Sequence, residues 1–213
     1  MVAEARSLQN PWLDIPAGEY EAHMGPGHAD QLSPLGAIFA ETLRAVRPAR
    51  VALLGCATGN GLEHIDPAIT RQVVAVDINP SYVAIARDRH RAQGAILDAR
   101  CADLLACDLG AGGFDLVHAA LVFEHVDAAA LAARAAAWVA PAGTLSVVLQ
   151  LEGGAAPVTP SPYGSIAALA GTIRLVTPAA LAALLAPHGL TLRQRRTVPV
   201  KNGKRFEVCL FGR

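Results

Sequence analysis

The sequence predicts an α/β fold: a mostly parallel sheet that ends in an antiparallel hairpin. Three observations predict it. Short apolar runs alternate with helical patterns along the chain. A glycine-rich turn follows the first apolar run and precedes a segment with helical character. Near the end, Leu190–Val200 and Lys204–Phe211 flank Asn202-Gly203, a dipeptide favoured in tight hairpins. With 213 residues, 53% of them hydrophobic and 17% charged, the chain has the apolar content to bury one full core and too little charge for disorder.

The elements follow in order. In Pro34–Val46, Leu35, Ile38, Phe39, Leu43 and Val46 share one helical face. Arg50–Leu54 is the apolar run of a strand covered on both faces, and Gly59–Ile65 reads as a short helix after it. Gln72–Val76 is a second buried strand ending at Asp77. Asn79-Pro80 supplies an N-cap and a first-turn proline for a helix to about Gln93. Ala95–Ala99 and Phe114–Ala120 are the third and fourth strands. Asp127 caps an Ala-rich helix ending near Trp138, and Pro141-Ala142-Gly143 turns the chain into a fifth strand, Thr144–Leu151. A Gly- and Pro-rich loop covers Glu152–Gly164, and Thr177-Pro178 opens a helix through Ala186.

Composition narrows the function. Eighteen basic and eighteen acidic side chains give zero net charge, which argues against a protein built to grip a phosphate backbone. The tail is locally basic, with Arg193, Arg195, Arg196, Lys201, Lys204, Arg205 and Arg213, and reads as the charged guard of an edge strand. The start carries no secretory pattern, and the Ala-rich run Ala128–Ala140 is too short to span a bilayer. Cys56, Cys101, Cys107 and Cys209 are scattered without a C-x-x-C pair, so a cytoplasmic protein with neither structural zinc nor disulfides is expected. Asp103, Asp108, Asp115 and Asp127 form no compact ligand motif, and no metal is expected.

The informative segment is Leu53-Leu54-Gly55-Cys56-Ala57-Thr58-Gly59-Asn60-Gly61. Glycines there permit a tight turn and close approach of a ligand to the backbone, and a helix opening after it would offer free N–H groups. Asp77 stands 22 residues after Gly55 at the end of the next strand, where a carboxylate can accept both hydroxyls of a ribose.

These segments resemble the class I S-adenosylmethionine-dependent methyltransferases. Leu53–Gly61 is similar to their first motif, and Ala75–Arg87 to their second-strand acid and its helix. Arg100-Cys101-Ala102-Asp103-Leu104 resembles the segment whose Asp meets the adenine amino group. Phe114–Val117 and Leu121–Val126 resemble the fourth strand and following turn of the small-molecule branch, and Trp138–Leu145 the turn into strand five. The resemblance runs in order from Arg50 to Arg213. It implies a Rossmann-like, seven-stranded, three-layer α/β/α domain over residues 32–213, preceded by a cap or lid over residues 1–31. It implies S-adenosylmethionine held by Gly55, Cys56, Ala57, Thr58, Gly59, Asp77, Ile78, Ala102, Asp103, Leu104 and Ala120, and methyl transfer to a small molecule. Two positions depart from the pattern. Leu53 stands where the family often has an acid, leaving Glu19, Glu63 or a main-chain carbonyl to meet the cofactor's amino end, and Ala57 replaces the middle glycine.

A cofactor-binding relative without turnover is the main alternative, because of Leu53. A nicotinamide-dependent reductase fits less well, since Asn60 stands where the third Gly of G-x-G-x-x-G belongs, and a P-loop is excluded by the missing Gly-Lys-Ser/Thr. Within Asn10–Gln31, Tyr20 and His23 are candidate substrate contacts and proton acceptors; His28 is placed equally well in an exposed turn, and Trp12 and Met24 read as packing. Glu124 and His125 follow the fourth strand at the edge where open α/β sheets bind ligands. Tyr20, His23 and His125 are the candidate bases, with histidine best suited by its ordinary pKa.

Overall fold

Seven strands form one sheet in the order β3-β2-β1-β4-β5-β7-β6. They are β1 (Arg50–Leu54), β2 (Gln72–Asp77), β3 (Leu97–Cys101), β4 (Phe114–Ala120), β5 (Val139–Gln150), β6 (Thr191–Pro199) and β7 (Arg205–Gly212). The computed structural model describes residues 10–153 and 156–213. β1 to β5 run parallel, whereas β7 lies antiparallel between β5 and β6. Helices α1 (Ala17–Met24), α2 (Leu32–Val46), α3 (Pro80–Arg89), α4 (Ala128–Trp138), α5 (Gly164–Ala167) and α6 (Pro178–Leu185) complete the fold.

Strand periodicity builds two covered faces. Val51, Leu53, Val73, Ala75 and Leu116 pack with Phe39 and Leu43 of α2. Their neighbours Ala52, Leu54, Val74, Val76 and Val117 pack on the other face with Leu131 and Ala135 of α4 and Leu181 and Leu185 of α6. Sheet between two helical layers is the three-layer arrangement expected. At the base of the sheet, Asp115 Oδ2 accepts the N–H groups of Ala49 (3.1 Å) and Arg50 (2.8 Å), tying the start of β4 to that of β1.

Asn79 caps α3 as its sequence implies, accepting from the Ser81 N–H at 2.9 Å, and Asp127 caps α4 from Ala129 and Ala130, both at 3.0 Å. Several boundaries move. The helix expected over Gly59–Ile65 is only a 3-10 turn, Leu62–His64. Gly59 and Gly61 both hold positive φ, +93° and +94°, which an α-helix cannot use, and Pro67 follows two residues after Ile65. α3 stops at Arg89, a 3-10 segment bent at Gly94 follows, and β3 begins at Leu97, two residues later than expected. β5 starts at Val139 and runs through Pro141–Gly143; a register shift between Phe114 and Leu116 of β4 accommodates that stretch. A Cβ on Gly143 would sit 2.7 Å from the Phe114 carbonyl, so only glycine permits this closeness. The hairpin forms, but β6 and β7 are joined by a wider loop holding a 3-10 turn at Lys201–Gly203 rather than a two-residue turn. Its Val200 N–H donates to the Lys204 carbonyl at 3.0 Å. α5 and its 3-10 continuation have no counterpart in the sequence expectations.

The described part of the segment before α2, residues 10–31, lies against the body. Asn79 Nδ2 donates to the carbonyls of Trp12 (2.8 Å) and Ile15 (3.3 Å). Glu21 of α1 accepts from Thr58 Oγ1 at 2.6 Å and Arg89 at 2.8 Å. Ser165 of α5 donates to Glu19, and Lys201 of the hairpin loop pairs with Asp30. Ile15 and Tyr20 are buried in a cluster with Ala57, Tyr82, Ile166 and Leu169.

Candidate active site

Strand order reverses between β1 and β4, and a cleft opens there along the carboxyl edge of the parallel strands. It encloses about 1220 Å³ with its mouth included. Its floor crosses the edge from Asp103 after β3, through Asp77 at the end of β2 and Gly55 and Ala57 after β1, to Ala120–Val126 after β4 and Gln150 at the end of β5. Because β7 is antiparallel, its beginning lies at the same edge, with Phe206 opposite Gln150, so Lys204 joins the floor. Trp12, Tyr20, His23 and Met24 roof the cleft.

The glycine-rich turn is shaped by close approaches. Gly55 has φ +66°, and a Cβ there would sit 2.6 Å from a Val122 methyl, so β1 and the turn after β4 meet only through glycine. Cys56 N–H donates to the Val76 carbonyl at 3.0 Å. Ala57 then adopts φ +44°, a left-handed conformation that an L side chain enters at a cost of about 1–2 kcal/mol. What holds it is Asp77, whose Oδ2 accepts the Ala57 N–H at 2.9 Å while Oδ1 accepts the Asn79 N–H at 2.9 Å. Burial raises the Asp77 pKa against the pull of the Asn79, Ala57 and Ile78 N–H groups. Each carboxylate oxygen keeps acceptor capacity for a further donor from the cleft.

Of the residues expected around a cofactor, Gly55, Ala57, Asp77, Ile78, Ala102, Asp103, Leu104 and Ala120 line the cleft. Cys56, Thr58 and Gly59 do not. The Cys56 thiol is buried in the core with Phe39 and Leu62, and burial raises its pKa well above that of an ordinary thiol. Thr58 faces Glu21, and Gly59 lies against the ring of His90, 2.9 Å from where a Cβ would stand. Only a 3-10 turn follows the glycine turn, so the helix N-terminus expected there is missing, and Asp77 takes up the N–H of Ala57. Leu53 is buried in the core; Glu63 instead accepts the Gly61 N–H at 2.8 Å, and Glu19 is engaged by Ser165.

Tyr20, His23, Glu124 and His125 all line the same cleft. Tyr20 packs on Tyr82 with ring centroids 5.2 Å apart, and burial, then the nearby Asp77 charge, raises its phenol pKa. His125 meets Trp12 edge to face at 4.9 Å. Burial lowers its pKa to about 4, which keeps the ring neutral, and its Nδ1 has no hydrogen-bond partner among the described residues. Glu124 Oε1 accepts the Gln150 N–H at 2.8 Å, Oε2 has no partner among the described residues, and burial raises the carboxyl to about 7. His23 is buried with an unpartnered Nδ1, its pKa lowered by burial and then by the charges of Lys204 and His28.

Gln150 and Lys204 escaped the sequence reading. The signal was topological: an antiparallel last strand returns its first residues to the edge where the parallel strands end. The other tail cations lie elsewhere, with Arg195 pairing Glu207 at 2.8 Å, Arg196 pairing Glu41, and Arg193 donating to the Arg213 carbonyl.

Residues 51–143 match the family model described as "Methyltransferase domain". No functionally curated protein matches the chain by sequence. Among solved structures, the Burkholderia thailandensis 1,6-didemethyltoxoflavin-N1-methyltransferase, with 1,6-didemethyltoxoflavin and S-adenosylhomocysteine bound, is 22% identical. That match covers 92% of this chain and 83% of the other, with a TM-score of 0.65. Magnesium protoporphyrin IX methyltransferase from Synechocystis PCC 6803, with bound S-adenosylhomocysteine, is 14% identical, covering 92% and 93% at TM-score 0.68. The [4+2]-cyclase SpnF shares the same fold at 15% identity, covering 84% and 79% at TM-score 0.66. The strand order, the glycine turn with its terminal acid and the domain model agree: residues 51–143 match a methyltransferase domain, and the chain has the fold of the class I S-adenosylmethionine-dependent methyltransferases.

Proposed function

We propose that the protein transfers a methyl group from S-adenosylmethionine to a small organic acceptor bound in the same cleft. One observation carries the reading: Asp77, at the end of β2 one strand from the switch point, is fixed by two backbone N–H groups in a cleft that also holds Tyr20, His23, Glu124 and His125. In this reading Asp77 accepts the ribose hydroxyls, Asp103 faces the adenine amino group, and Gly55 and Ala57 let the backbone approach. When bound, S-adenosylmethionine supplies a methyl already activated on a positively charged sulfur. The protein's residues therefore have to align the acceptor, exclude water and receive a proton.

The expected cap, of which residues 10–31 are described, acts as a lid in this reading, with Trp12 and Tyr20 lining the cleft. His23, buried, and His125, half-buried, both favour the neutral form and are the groups that accept the acceptor's proton. Tyr20 suits that role poorly, because burial disfavours its phenolate, and it positions instead. The four free thiols fit a reducing compartment such as the cytoplasm. Among the described residues no helix is long and apolar enough to cross a membrane.

The SpnF likeness makes the test specific, because one fold hosts several reactions. Calorimetric titration with S-adenosylmethionine should show binding, and incubation of the methyl-labelled compound with fractionated cell extract should place label in the small-molecule fraction. Binding without labelled product would turn the reading into cofactor binding without turnover. Absence of binding would overturn it.

A further inference from the structure

We propose that Lys204 anchors the acceptor through a single anionic oxygen, so that the acceptor is an apolar small molecule carrying one carboxylate or one ionised hydroxyl. This deepens the methyl-transfer reading and rests on it. Lys204 is only 7% exposed and lines the cleft. Its Nζ donates to the Pro157 carbonyl at 2.8 Å and to Gln150 Oε1 at 3.3 Å, both neutral oxygens. No carboxylate pairs with it among the described residues, whereas Lys201, three residues earlier, pairs with Asp30. A buried ammonium with neutral partners is an expensive arrangement, and burial lowers its pKa to about 8. An anion from the cleft would compensate it.

Counting donors selects the anion. An ammonium has three N–H donors, and among the described residues two are used, leaving one for a ligand oxygen. The carbonyl and amide oxygens beside it would repel the remaining oxygens of a phosphate dianion. Beside Lys204, His23 Nδ1 and Thr159 Oγ1 are buried without partners among the described residues and also line the cleft. The walls beyond them are apolar, with Met24, Leu35, Val158, Ile166 and Leu169. Position separates this group from the ribose acid. Asp77 ends β2 and Lys204 precedes β7, four strand spacings apart in the sheet, on the order of 20 Å. One end of the cleft suits a nucleoside, the other an apolar monoanion.

The test uses the full chain and fluorine NMR of 4-fluorobenzoate and 4-fluorobenzamide, with S-adenosylhomocysteine present. The carboxylate should bind about tenfold tighter than the amide or better, as a hydrogen bond between charged groups implies. Lys204→Met, and Lys204→Gln as a second variant, should each melt cooperatively, abolish that preference and leave S-adenosylhomocysteine affinity unchanged. Inorganic phosphate should fail to displace the benzoate. The proposal is overturned if carboxylate and amide bind alike or neither binds, if the preference survives in both variants, or if phosphate competes. It is also overturned if S-adenosylhomocysteine binding collapses in both variants, because Lys204 would then hold the amino-acid carboxylate of the cofactor. Wild-type protein that ignores S-adenosylhomocysteine yet still prefers benzoate through Lys204 would sink the methyl-transfer reading and spare the anion site.

Discussion

Asp77 couples the shape of the glycine turn to ligand binding. Its carboxylate holds the Ala57 N–H, and Ala57 is the residue bent into the left-handed region. Asp77→Ala should weaken S-adenosylmethionine by about 1.5–3 kcal/mol, through the lost ribose contacts and a loosened turn. Titration calorimetry reads this directly, and unchanged affinity would remove the residue from the site. Ala57→Gly should raise stability by roughly 0.5–1 kcal/mol, since relief of the positive φ outweighs the added freedom of the unfolded chain. Thermal melts at matched buffer check it; a lower melting temperature would mean that the Ala57 methyl's packing against Tyr20 and Tyr82 is worth more than the strain. Both residues stood out in the sequence, Asp77 by its place at a strand end and Ala57 by replacing a glycine. Lys204 did not, because a lysine beside a turn looks like any solvated tail cation until the direction of β7 is known.

At the scale of elements, the apolar runs of β1, β2 and β4 were legible to the residue or nearly so, since strands covered on both faces leave uninterrupted hydrophobic sequence. Capped helices were equally legible where Asn79, Asp127 or Thr177 marks the start. The misread elements share a cause: their conformation is set by contacts distant in sequence. Gly59 and Gly61 are pressed by His90 and Phe39, and β5 begins early because it lies against Phe114. Residues 10–31, the described part of the expected cap (residues 1–9 lie outside the described residues), are likewise held by contacts distant in sequence. There Trp12 and Ile15 are bonded through Asn79 to the start of α3, and Tyr20 packs beside Ala57. Removing residues 1–31 should therefore weaken S-adenosylhomocysteine binding by at least about tenfold and lower the melting temperature, rather than slow transfer alone. Calorimetry and melts on the truncated chain read both. Full cofactor affinity with lost turnover would mean that the segment serves only the acceptor.

For the whole molecule, buried titratable groups set the response to acid. His118 of β4 stacks against Phe39 of α2, its Nδ1 3.0 Å from Ser146 Oγ, and burial lowers its pKa to about 4, as it does for His125. The folded state thus keeps both rings neutral where the unfolded chain takes up protons below its ordinary value of 6.5. Stability from these groups is present above pH 6.5 and lost toward pH 4, at about 1.4 kcal/mol per pH unit for each. Glu124, raised to about 7, acts oppositely between 4.5 and 7, so one proton's slope remains from the three between 4.5 and 6.5. Melting temperature should rise across that window, and His118→Asn should flatten the rise; an unaltered slope would mean that this ring's protonation is not linked to unfolding. The placement of β7 between β5 and β6 has a consequence for assembly in time. β6 pairs with no strand except β7, which comes after it in sequence, so a growing chain exposes β6 before any neighbour exists to pair with it. Arg193, Arg195 and Arg196 on that strand carry the charge that discourages pairing with a stranger during the wait, and Arg193 and Arg195 take up their contacts with Arg213 and Glu207 once the last strand slots in.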